Sequence, residues 1–210
     1  MKKLLGISLL AFLLSTSLET YSQLAVGVRA GATFANMSSE DNDDVYDKDY
    51  STVTGFHVGA VIESGTANGL GIQTGLNFVQ KGFESSLANI KFKREINYLE
   101  IPLNLKASAG VGDLRIFGIA GPYLSMGLGG KQSSDIQGTQ ERDISFGSAN
   151  DDDYKSLDYG ASFGAGIELG ALHFSAFYSL GIANIANNDS NGQTNKNKAL
   201  NFSIALVFGD

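Results

Sequence analysis

From residue 24 onward apolar and polar side chains alternate one by one through eight stretches. That is the period of a β-strand whose two faces meet different surroundings. In the first stretch, about Leu24 to Ala35, Leu24, Val26, Val28, Ala30, Ala32 and Phe34 share one face, and Gly27, Arg29, Gly31 and Thr33 share the other. The second, about Thr52 to Glu63, sets Phe56, Val58, Ala60 and Ile62 against Gly55, His57, Gly59 and Glu63. The same division runs through about Gly69 to Phe83, Phe92 to Ala107, Asp113 to Leu128, Tyr154 to Leu169, Ala171 to Ile185 and Ala199 to Phe208. The pattern predicts eight strands and an all-β fold.

The connections alternate in length. Ser64 to Asn68, Ser108 to Gly112, and Gly170 alone or nearly so are tight turns, whereas residues 36–51, 84–91, 129–153 and 186–198 are longer and more polar. With both termini on one side, every short turn falls on that side and every long loop on the other. Bacterial outer-membrane barrels have this arrangement, with short periplasmic turns and long external loops.

The greasy faces carry no Lys, Arg, Asp or Glu in their central parts, while the opposite faces carry Arg29, His57, Glu63, Lys81, Glu100, Lys106, Arg115, Asp158 and Glu168 among many glycines. A water-soluble barrel would reverse this, with apolar residues inside and charge outside. In hydrocarbon every backbone polar group must be paired within the protein, so a sheet enters lipid only by closing on itself. Each stretch is long enough for a tilted strand of about 9–11 residues. The expectation is an eight-stranded antiparallel up-and-down transmembrane β-barrel. Eight strands leave a lumen that side chains can fill, so Arg29, Arg115 and Lys106 are expected to pair with Glu63, Glu100, Asp158 and Glu168 as a polar interior rather than line an open pore. Outward Phe34, Phe56, Phe78, Tyr159, Tyr178 and Phe202 gather toward the loop end. They read either as an interfacial girdle or as plain strand propensity.

The first residues add a destination. Met1-Lys2-Lys3, the apolar run Leu4 to Leu14 and the small or polar Ser15-Thr16-Ser17 form the three parts of a secretory signal peptide, with cleavage expected between Ser22 and Gln23. Residues 23–210 then form the barrel domain. The 210-residue chain has no Cys, which excludes a lipid anchor, a disulfide and thiol chemistry in it. Its net charge of −7 becomes −8 without residues 1–22 and argues against nucleic acid as a partner.

Candidate chemistry is sparse. The two histidines, His57 and His173, lie on inward faces, and His173 has Ser175 beside it on the same face. No orienting carboxylate or oxyanion site accompanies that pair, so no catalytic residue is assigned and the chain is expected not to be an enzyme. The loops are acidic, with Glu40, Asp41, Asp43, Asp44, Asp47 and Asp49 in the first and Asp151 to Asp153 in the third. Asn187, Asp189, Asn191 and Gly192 partly imitate a calcium loop, but its twelfth position is Lys198 where a bidentate Glu is required. These are read as solvated loops, with no metal and no cofactor expected.

Four blocks carry a resemblance: Tyr98-Leu99-Glu100-Ile101-Pro102-Leu103-Asn104-Leu105-Lys106, Gly121-Pro122-Tyr123-Leu124, Asp158-Tyr159-Gly160 leading to Gly164 to Glu168, and Tyr178 to Ile185. The chain resembles the PorT family of Bacteroidetes outer-membrane β-barrel proteins, the first block being the distinctive one. The resemblance implies an outer-membrane location and, for the family's founder, a link to protein export across that membrane. Fold does not carry activity with it. The expected function is therefore a structural or interaction barrel acting through its external loops. Its expected partners are outer-membrane lipid and lipopolysaccharide, the outer-membrane assembly machinery and envelope proteins. A secretion-associated barrel and a soluble periplasmic binding barrel are the alternatives.

Overall fold

The computed structural model describes residues 23–40, 48–65, 68–87, 90–135, 140–147, 152–187 and 192–209. The expected signal peptide, the acidic run 41–47, Asp151, and Asp189 and Asn191 of the calcium-like loop lie outside the described residues. Ten strands form one antiparallel sheet: β1 Gln23–Glu40, β2 Lys48–Asp49, β3 Ser51–Gly65, β4 Gly69–Leu87, β5 Ile90–Val111, β6 Leu114–Ser134, β7 Gln140–Asp143, β8 Leu157–Leu169, β9 Leu172–Gly181 and β10 Thr194–Phe208. Eight of them close a ring in the order β1, β3, β4, β5, β6, β8, β9, β10, and β10 returns to β1 through pairs running from Val26 with Phe208 to Glu40 with Thr194. The short β2 and β7 lie against β1 and β6 above that ring. The fold is an eight-stranded antiparallel up-and-down barrel.

Closure follows from the alternation. Apolar residues of one parity face outward and are exposed on every strand of the ring, as with Ile116 at 64% and Leu103 at 55%. Their neighbours of the other parity face the lumen, where Lys81 is 2% exposed and Asp158 is at 0%. A slip of one residue would exchange the two sets. Two turns are as tight as a strand pair permits. Gly112 and Gly170 take φ of 63° and 59° there, the left-handed region in which a Cβ is costly.

The strand ends differ from the sequence reading at the loop side. β4 runs on to Leu87 and β5 starts at Ile90, so residues 84–87 and 90–91 of the expected loop are paired strand that rises beyond the ring. The expected loop 129–153 contains the end of β6 and the whole of β7, and β10 starts at Thr194 inside the expected loop 186–198. Conversely, the sixth strand starts at Leu157 rather than Tyr154, and the seventh stops at Gly181 rather than Ile185. Alternation reports two-sided solvation, and above the membrane neither face has lipid to select it.

Candidate functional site

The lumen is built in three storeys. At the turn end, β3, β4, β5, β6, β8 and β9 contribute Glu63, Gln73, Lys106, Arg115, Glu168 and His173. The Lys106 ammonium is shared by Glu63 and by Glu168, the latter at 2.5 Å, and Arg115 Nε lies 2.5 Å from Glu168 Oε2. Gln73 donates to Glu63 at 2.7 Å, and His173 Nδ1 stands 3.7 Å from Glu63 Oε1. Two carboxylates thus meet two cations. Glu63, Glu168 and His173 lie close enough together to ligate a metal, but Lys106 Nζ already bridges the two carboxylates. A divalent ion would have to displace a buried ammonium. A mouth of about 400 Å³ opens below this storey, bordered by Arg115, His173 and Phe208.

The middle storey is neutral apart from one cation. Thr33 donates to Asn201 Oδ1 at 2.9 Å and its hydroxyl lies 3.1 Å from His57 Nδ1, while Ser162 donates to Asn104 at 3.0 Å. Since the Thr33 hydroxyl hydrogen is used on Asn201, His57 Nδ1 carries the proton toward Thr33. Arg29 is buried here at 7% exposure and, among the described residues, forms no ion pair. The sequence reading gave it a carboxylate partner. The register sets it opposite Gly59 on β3 and Ala205 on β10, neither of which offers one.

The upper storey centres on Lys81. Its ammonium lies 2.9 Å from Glu100 and 3.4 Å from Asp158, and 4.5 Å and 5.1 Å from the ring centres of Tyr123 and Tyr98. Ser125 donates to Glu100 at 2.9 Å, and Asn197 donates to Asp158 at 3.0 Å and to the Tyr98 hydroxyl at 3.1 Å. Glu100 and Asp158 are therefore held by Lys81, not by the arginines or Lys106 to which the sequence reading assigned them. Lys81 showed its inward parity in the sequence but not its height. That height depends on the stagger of β4 against β5 and β8.

Above Lys81 the polar lumen ends under an apolar cap. Met37, Phe83, Ile96, Tyr98, Ile144, Tyr154, Ala183 and Ile185 form one buried cluster, with Tyr50 and Phe146 packed against it. Its parts come from strand tips and connecting segments. Tyr154 pairs with both Phe146 and Ala186 as isolated bridges, and Lys155 N–H donates to Ile185 O at 3.0 Å. Arg94 lies 5.5 Å from the Phe83 ring centre and 5.6 Å from that of Tyr154, to whose hydroxyl it also donates. On the outer side Arg142 grips Asp153 with two bonds of 2.7 Å and 3.1 Å, and Asp153 accepts from the Ser145 amide at 3.0 Å. Partial burial would raise the Asp153 carboxyl, but the bonds from Arg142 and Ser145 outweigh it and hold the group below its ordinary value. This cap had no periodic signal.

The many glycines acquire a reason here. A Cβ at Gly160, Gly166 or Gly127 would overlap the rings of Tyr123, Phe117 or Phe146, and one at Gly31 would overlap the His57 ring. The small inward positions are sockets: Gly160, Gly166 and Gly31 sit directly opposite Tyr123, Phe117 and His57 on the adjacent strand, and Gly127 lies under Phe146 of the cap. His173 and Ser175 form no hydrogen bond with each other among the described residues. The His173 ring instead sits 6.2 Å from Phe117. On the outer face Phe34 with Phe202, Phe56 with Phe78, and Phe163 with Tyr178 lie at 6.0, 5.7 and 5.9 Å. They form a partial aromatic band near the loop end.

A membrane-embedded barrel is the class that a lipid-compatible outer face and a filled polar lumen define. The sequence profile described as outer membrane protein beta-barrel domain matches residues 15–187, and the chain belongs to that family. It is an outer-membrane protein. Among solved structures it is similar to Ail, the attachment invasion locus protein of Yersinia pestis, at 12% identity over 88% of this chain and 98% of that one, with a TM-score of 0.44. It is also similar to Neisserial surface protein A, at 13% identity over 88% and 99%, with a TM-score of 0.46. None of the curated proteins compared with the chain matches it.

Proposed function

We propose that the protein is a non-enzymatic, closed outer-membrane barrel that anchors and presents its loop end to partners outside the cell. The observation that carries this reading is the double closure of the lumen, by the Lys81 and Lys106 ion-pair storeys and by the apolar cap above them. In this reading Arg29, His57, Glu63, Glu100, Lys106, Arg115, Asp158 and Glu168 are the filled polar interior and serve stability, not transport. Residues 1–22 are a signal peptide removed before Gln23, which mass determination of the membrane-extracted protein tests.

The test of closure is electrical. Reconstituted in planar bilayers, the folded protein gives no stepwise conductance, while heating before electrophoresis shifts its gel mobility. Steady ohmic channels from the unheated protein would overturn the reading. The export role that the PorT resemblance implies has one block in its favour, Tyr98 to Lys106, yet Tyr98, Glu100, Asn104 and Lys106 are all buried as packing and ion-pair residues. Export therefore rests on a deletion experiment. Cargo retained in the periplasm of a deletion strain favours it, and unchanged secretion favours the anchor.

A further inference from the structure

We draw no further inference here: the strongest candidate, the apolar groove floored by Ala30, Ala32, Ala165 and Ala176 on the lipid-facing side of β1, β8, β9 and β10, is an unpartnered apolar face, and nothing in the structure shows what covers it.

Discussion

The two ends of the lumen are closed by opposite chemistry. At the turn end two carboxylates are buried against two cations, and in the upper storey Glu100 and Asp158 are buried around the single ammonium of Lys81. At the loop end, beyond Tyr98, a small hydrophobic core does the sealing with residues drawn from segments far apart in the chain. The ionic storeys sit within strands whose backbone is already paired on both sides, so the scaffold does not relax when one charge is removed. The cap is held by isolated bridges and a few loop hydrogen bonds. The difference teaches that rigidity, not polarity, separates the two regions. The barrel enforces its interior, whereas the cap has to assemble on top of it.

The sharpest way to break that contrast is to remove the cation of the upper storey. Lys81→Met preserves length and apolar volume but leaves Glu100 and Asp158 buried together without their ammonium. Breaking a buried ion set from one side costs about 3–5 kcal/mol. Urea unfolding of the barrel in lipid vesicles is expected to show a loss of that size. Lys106→Met is expected to lose less, because Arg115 remains on Glu168. If both variants lost under 1 kcal/mol, the storeys would be soft and the contrast with the cap would fail.

A smaller and more local effect is expected above. Ile185→Ala removes a side chain buried to 0% exposure at the centre of the cap, and large-to-small changes of this kind cost from about 2 kcal/mol upward. The value is expected at that lower end, because the connecting segments can settle into the space. The consequence is local opening. Protease cuts residues 182–187 faster while the midpoint of barrel unfolding hardly moves. A common shift of both readouts would mean that cap and barrel unfold as one unit.

Legibility in the sequence follows the same boundary. Inside the membrane each strand meets lipid on one face and lumen on the other, so parity alone placed Glu63, Lys106, Arg115 and Glu168 on one side of the sheet and Leu103 and Ile116 on the other. Parity does not encode stagger. Arg29 was therefore given a carboxylate, and Glu100 and Asp158 were given the wrong cations. Above the membrane the period loses its cause. Tyr154 and Ile185 were read as strand residues, and both pack in the cap instead. The glycines were visible as a composition, but their use as sockets for Tyr123, Phe117 and His57 depends on the register that sets each ring opposite a glycine of the adjacent strand.

The smallest effect concerns the outer clamp of the cap, Arg142 on Asp153. Arg142 is largely exposed, with 56% of its side chain accessible, and such pairs contribute about 0.2–1 kcal/mol. Asp153→Asn is therefore expected to loosen segment 144–154 by less than 1 kcal/mol, read as faster amide exchange at Ser145 and Asp153. The pH dependence has a definite sign. The bonds from Arg142 and Ser145 hold the folded carboxyl below its ordinary value. Its contribution is thus complete above an unfolded aspartate pKa of about 3.9 and is lost only as pH falls through the depressed folded value. Between pH 5 and pH 8, amide exchange at these residues, corrected for its intrinsic base catalysis, is expected to show constant protection. A protection factor that fell as pH rose through that window would mean that a group that must keep its proton, not the Asp153 carboxylate, holds the clamp. The cap's outer edge would then have to be assigned to a different pair.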